Sequence, residues 1–162
     1  FFKIIIMESF IKHKYKIHFL CLFFLCIIKL NAQVIHNYDS VALQSDQTLK
    51  NKIESILNSR DILIVNTNVS SRNSYENFEI IDIKYDNLSQ LSQVDAALLQ
   101  NLKYCILRLQ NNSNPIDLNL LNPLTNLEVI HIIIETDFIG SPSIINLINQ
   151  SIIITYIISI PQ

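Results

Sequence analysis

The chain has 162 residues, enough for one domain with its own core. Ile, Leu and Asn dominate, Gly140 is the single glycine and tryptophan is absent, so turns must draw on Asn, Asp, Ser and Pro and glycine-rich phosphate loops are excluded. Residues 33–162 hold seven Lys or Arg against thirteen Asp or Glu, a net −6, which argues against nucleic acid and anionic membrane surfaces as partners, since both select basic patches.

The amino terminus has the layout of a secretory signal peptide over residues 1–32. With Met7 as the start, Lys12, Lys14 and Lys16 form a basic n-region, FLCLFFLCII (Phe19 to Ile28) an apolar h-region, and Leu30-Asn31-Ala32 a cleavage site before Gln33. The apolar run has ten residues, well short of the roughly 20 that span a bilayer. Residues 1–6, FFKIII, precede Met7 and admit two readings: translated upstream sequence, or an extension that favours an uncleaved anchor. The expected product is one exported domain, residues 33–162, with no stable membrane insertion after cleavage. Its destination would be periplasmic, cell-surface or extracellular. Cys105 is the only cysteine left in it, so no internal disulfide forms there.

Residues 33–46 carry no clear periodicity. Gln47 to Arg60 places Leu49, Ile53, Ile56 and Leu57 on one face of a helix, with Asp46 as N-cap. DILIV, Asp61 to Val65, reads as a buried strand. Asn66 to Asn77 is polar and reads as a loop, and a hairpin between residues 61 and 78 is one reading of that connection.

Four similar strands follow at a beat of 24 to 25 residues: FEIIDIKY from Phe78, LKYCILRL from Leu102, LEVIHIIIE from Leu127 and IIITYIISI from Ile152. Leu91, Val94, Ala97 and Leu98 sit at helical spacing in the first return. Pro123 limits the second to a short helix or 3₁₀ turn, and Ile144 to Ile148 offers an apolar helical face in the third. Returns of a dozen or more residues suit parallel crossovers. The expected fold is therefore α/β: a short solenoid-like stack of parallel strands with helices on one face.

Alternation divides each strand between two faces. One face takes Ile81, Ile83, Tyr85; Cys105, Leu107, Leu109; Ile130, Ile132, Ile134; and Thr155, Ile157, Ser159, and is expected to form the core. The other takes Asp82, Lys84, Asp86; Ile106, Arg108, Gln110; His131, Ile133, Glu135; and Tyr156, Ile158, Ile160, and is expected to be open in the early rungs. In that register Asp82, Ile106, His131 and Tyr156 form one row. The last strand is expected to leave its outer edge free for self-association.

These strands resemble the leucine-rich repeat family, whose pattern is L-x-x-L-x-L-x-x-N-x-L. The match runs through Phe78-x-x-Ile81-x-Ile83, Leu102-x-x-Cys105-x-Leu107, Leu127-x-x-Ile130-x-Ile132 and Ile152-x-x-Thr155-x-Ile157, over roughly the last half of the chain. The asparagine position instead holds Asp86, Gln110, Glu135 and Ile160. With its Asn-Ala-Gln signal end and Ile/Asn-rich composition, the chain is similar to small exported leucine-rich-repeat-like proteins of Bacteroidetes-type bacteria. The resemblance implies protein recognition on the sheet face.

Asp82, Lys84, Arg108, His131, Glu135 and Tyr156 are the candidate binding residues on the open face. Tyr and Arg are favoured interface anchors; the plainer reading is a solvated face with cross-strand charge pairs. No catalytic, metal or cofactor motif stands out: there is no G-x-S-x-G and no H-E-x-x-H. His131 and Glu135 are four apart on a strand, about 13 Å, too far to share one ion. Cys105 and His131 fall on opposite faces, which forbids a nucleophile–base pair. The leading expectation is an exported, non-catalytic binding or structural module without cofactors. The alternative is a secreted hydrolase whose site lacks a known signature.

Overall fold

A computed structural model describes residues 34–65 and 78–160. The expected leader at 1–32, the loop at 66–77 and Pro161 lie outside the described residues.

The elements run as β1 (Ile35–Asn37), α1 (Val41–Ser45), α2 (Gln47–Leu57), β2 (Ile62–Val65), β3 (Ile80–Lys84), a 3₁₀ segment (Tyr85–Gln93), α3 (Ala96–Asn101), β4 (Tyr104–Leu109), β5 (Ile116–Asp117), a 3₁₀ turn (Asn119–Leu121), β6 (Val129–Ile134), β7 (Ile144–Ile145) and β8 (Ile153–Ile158). Six strands make one parallel sheet in the order β1-β8-β6-β4-β3-β2, and β5 and β7 form a separate two-stranded parallel sheet. The fold is thus α/β with a parallel sheet in which the four strands of the sequence beat are neighbours in chain order.

Strand and return chemistry explains this order. Ile- and Leu-rich strands buried on both faces suit a parallel sheet. Asp46 caps α2, its Oδ1 accepting from the Leu49 amide at 3.0 Å, and Asp95 caps α3 by accepting from the Ala97 amide at 2.8 Å. Such caps satisfy donors that the first helical turn leaves unpaired.

Several expectations need correction. The returns differ from one another: a 3₁₀ segment plus α3, then β5 plus a 3₁₀ turn, then β7. No single unit is repeated, and the structure shows no solenoid. Ile144 to Ile148 is not helical: β7 spans two residues and Asn146 turns left-handed at φ 62°, a conformation that ends regular structure for most residues. Nor is 61–78 a hairpin, because β2 pairs with β3 in parallel, Ile62 opposite Ile80 through Val65 opposite Ile83. Parallel strands need a crossover rather than a tight turn.

Helices also lie on both faces instead of one. The front face is the large core, where Ile81, Cys105, Leu107, Ile130, Ile132 and Ile154 pack against Leu88, Leu91, Leu118 and Leu121 from the returns. On the back face Ile56 of α2 packs with Ile80, Ile106 and Val129. The segment whose sequence carried no periodicity supplies β1, which pairs outside β8 with Ile35 opposite Ile154 and Asn37 opposite Tyr156. The expected free edge of the last strand is therefore occupied by β1 along Ile154–Tyr156.

One register differs as well. β6 and β8 pair Ile130 with Ile154, His131 with Thr155 and Ile132 with Tyr156. The observed row is Asp82, Ile106, His131, Thr155 and His36. Tyr156 belongs to the front core and is 6% exposed. Successive beats are not equal in register, since Cys105 to Ile130 is a step of 25 and Ile130 to Ile154 a step of 24. A one-residue slip moves every side chain of a strand to the other face.

Candidate functional site

The described back face has two parts. Toward the start of the strands it is covered by α2; toward their ends a set of charged and amide side chains remains at the surface. Asp82 and Lys84 come from β3, Arg108 from β4, and Glu135 from the residue after β6. Lys84 stands opposite Arg108 in the β3–β4 pairing, so alternation brings both to one face.

Arg108 organises this cluster. Its Nε donates to Asp82 Oδ1 at 2.8 Å and Oδ2 at 3.1 Å, and its Nη2 to Asp82 Oδ2 at 2.8 Å. Its Nη1 donates to Glu135 Oε1 at 2.9 Å. Gln110 Nε2 donates to Glu135 Oε2 at 2.8 Å, and Asn111 Nδ2 to Asp86 Oδ1 at 2.9 Å. A forked guanidinium matched to a carboxylate is a strong, directional pairing.

The electrostatics follow from these contacts. Hydrogen bonds from Arg108 to Asp82 raise the guanidinium pKa, against burial, with Glu135 adding to the effect. Burial works against the Glu135 charge, but hydrogen bonds from Gln110 and Arg108 outweigh it and hold this carboxyl below its ordinary value. Lys84 is exposed.

Four of the six expected residues, Asp82, Lys84, Arg108 and Glu135, thus converge, and two do not. Tyr156 points into the front core. His131 is on the back face but is 1% exposed. Its Nδ1 lies 2.8 Å from Thr155 Oγ1, and the Tyr38 ring meets it edge-on at 5.7 Å between centroids. Burial lowers the His131 pKa to about 4. Asp86 and Gln110, which alternation puts on this face, join the cluster although they are not among the six expected residues. Their positions just beyond the strands, where the family pattern has asparagine, were the available signal.

Cys105 is buried in the front core, and burial, followed by the nearby Asp82 charge, pushes its thiol pKa up. It behaves as a small apolar residue rather than a nucleophile. A cleft of about 480 Å³ near the C-terminal end of α2 is lined by Ser55, Ser59, Asp61, Glu79 and Tyr104, among others. Ser55 Oγ donates to the Lys52 carbonyl at 2.9 Å, Ser59 Oγ accepts from the Asp61 amide at 3.3 Å, and Glu79 pairs with Lys103 at 2.6 Å. Among the described residues no histidine lines it. Among the described residues no group of three His, Cys, Asp or Glu could hold a metal ion, and no helix is long and apolar enough to cross a membrane.

Comparison with known proteins gives no match: no family model, curated protein or solved structure is significantly similar to this chain.

Proposed function

We propose that the chain is an exported, non-catalytic module that binds a protein partner through strand-borne side chains, in the manner of leucine-rich repeats. The observation that carries this reading is the convergence of Asp82, Lys84, Arg108 and Glu135 from three neighbouring strands at the end of the back face left clear of α2. Arg108 is immobilised by two carboxylates, which lowers the conformational cost of using it as an anchor. Exposed Lys84 and the amides of Gln110 and Asn111 surround it with groups that can meet a polar partner. The resemblance of the strands to leucine-rich repeats and the layout of residues 1–32 support the same reading.

Affinity capture from the native envelope or medium tests it. The purified domain and its Lys84→Glu and Arg108→Ala variants are compared, with far-UV circular dichroism as the check on folding. A specific protein retained by the parent and lost from folded variants supports the proposal. Equal retention by all three places recognition elsewhere. Export is tested separately by N-terminal sequencing, which should begin at or near Gln33.

A further inference from the structure

Residues 35–57 cross the molecule as a strap. β1 adds three residues to the edge of β8, the Tyr38 amide donates to the Tyr156 carbonyl at 2.8 Å, and α2 lies on the back face through Ile56. The described buried members of the front core all come from residues 63–156, and among the strap's described side chains Ile35 alone packs against it. The strap ends at Asn58–Asp61, where Asn58, Arg60 and Asp61 are exposed. A short edge strand followed by the short α1 and the amphipathic α2, on a separately packed sheet, forms a natural unit of local opening.

His131 lies beneath this strap. Its Nδ1 is matched to Thr155, while Nε2 is buried with no hydrogen-bond partner among the described residues. On its row stand Ile106 on one side and Thr155, then His36 of β1, on the other. Asp82 lies beyond Ile106. From the strap, Tyr38 meets the ring, and its hydroxyl donates to Glu54 of α2 at 3.3 Å. Lys52 of α2 is turned to Glu128 at 2.8 Å and over the Tyr104 ring. Among the described residues no carboxylate bonds the imidazole. The site holds a neutral ring well and gives an imidazolium no acceptor for its second proton, so charge is admitted only if the ring reaches water.

We propose that protonation of His131 opens the strap, uncovering the apolar back-face surface of Ile106, Val129 and Ile133 while the front core stays folded. The open state takes up a proton near the ordinary histidine value of about 6.5, whereas the closed state resists until about 4. Closure is therefore fully favoured above pH 6.5, weakens as pH falls from 6.5 to 4, and levels off below that. Between pH 7.5 and 5.0 the open population should rise about 30-fold.

Amide hydrogen exchange of the full chain at those two pH values, corrected for intrinsic exchange, tests this. Exchange at Ile35–Asn37 and in α2 should rise about 30-fold, while β4 and β6 keep their protection. A His131→Phe variant retains an aromatic ring against Tyr38 and should make the strap insensitive to pH over this range. Unchanged strap protection in the parent overturns the proposal, as does loss of protection in all strands together. If His131→Phe does not fold, the parent exchange data and the imidazole NMR titration decide. The His131 signals must then shift with the same midpoint as strap opening.

Discussion

Arg108 bonds both carboxylate oxygens of Asp82 across the β3–β4 ladder, two residues out of direct register, and reaches Glu135 with its third nitrogen. Both acids are largely shielded, with side-chain exposures of 16% and 15%. Removing the cation leaves two carboxylates close together with little water. Arg108→Ala should therefore cost about 1–3 kcal/mol by chemical denaturation. Arg108→Lys should recover only part of this, because an ammonium cannot reproduce the fork. Lys52 and Glu128 form a more exposed pair, and Lys52→Ala should cost less than about 1 kcal/mol.

The same cluster contributes a pH dependence distinct from that of His131. The Glu135 pKa is lowered in the folded state, so its contribution is present above the unfolded carboxylate value and is lost as pH falls through the lowered value. This window lies below the usual Glu range of about 4.3. Glu135→Gln should flatten the acid limb of the stability curve there and leave the region between pH 5 and 7 unchanged. Urea titrations across pH provide the measurement.

Much of the sheet was legible because parallel strands buried on both faces write long apolar runs. Ile81, Cys105 and Ile130 fall on the core face as alternation predicts. The final rung was not legible. IIITYIISI is apolar at nearly every position, so period two does not mark its register, and pairing with β6 places Thr155 beside His131 to satisfy a buried nitrogen. Of the strap, α2 was legible with its Asp46 cap, but β1 was hidden. β1 is three residues long and intermediate in exposure at every position, and its pairing with β8 spans almost the whole domain, a relationship that local pattern does not carry.

The candidate site was readable to the extent that its charges lie in early strands with unambiguous alternation. Asp82, Lys84 and Arg108 interrupt apolar runs and so identify the face they occupy. His131 interrupts its run in the same way, yet it is covered by Tyr38 from a part of the chain without periodic signal. Burial of that residue depends on the tertiary path of the strap rather than on β6.

The front core supplies the largest single-residue effects. Leu107 and Ile132 pair across β4 and β6 and are both 0% exposed. Changing either to Ala should cost about 2–5 kcal/mol. The two should be non-additive, because neighbouring truncations share one cavity. A double-mutant cycle by urea denaturation measures both quantities.

Gly140 has φ 90°, and a Cβ built there meets nothing within 4 Å. The cost of Gly140→Ala is therefore conformational rather than steric crowding from neighbours, about 1–2 kcal/mol. Thermal denaturation should show the loss with no change in the circular dichroism of the folded state.

Tyr156 and Ile158 separate the two registers of the last strand. In the observed pairing Tyr156 faces Ile132 inside the front core, whereas Ile158, opposite Ile134, lies at the strand end and is 39% exposed. Alternation places both residues on the same face, so depth along the strand decides their fates. Tyr156→Ala removes a large buried ring and should cost about 3–5 kcal/mol. Ile158→Lys puts a charge on a long stem that can reach water, and should cost less than about 1.5 kcal/mol. Were the strand displaced by one residue, Tyr156 would lie on the back face with His131 and Thr155 would enter the core. Tyr156→Ala would then be mild, and Thr155→Val would stabilise by removing a core hydroxyl. In the observed register Thr155 bonds His131 Nδ1 at 2.8 Å. Thr155→Val should therefore destabilise by about 1–3 kcal/mol, since it leaves the ring nitrogen buried without a partner. Urea denaturation of these three variants against the parent discriminates the pairings by the sign at position 155 and the magnitude at position 156.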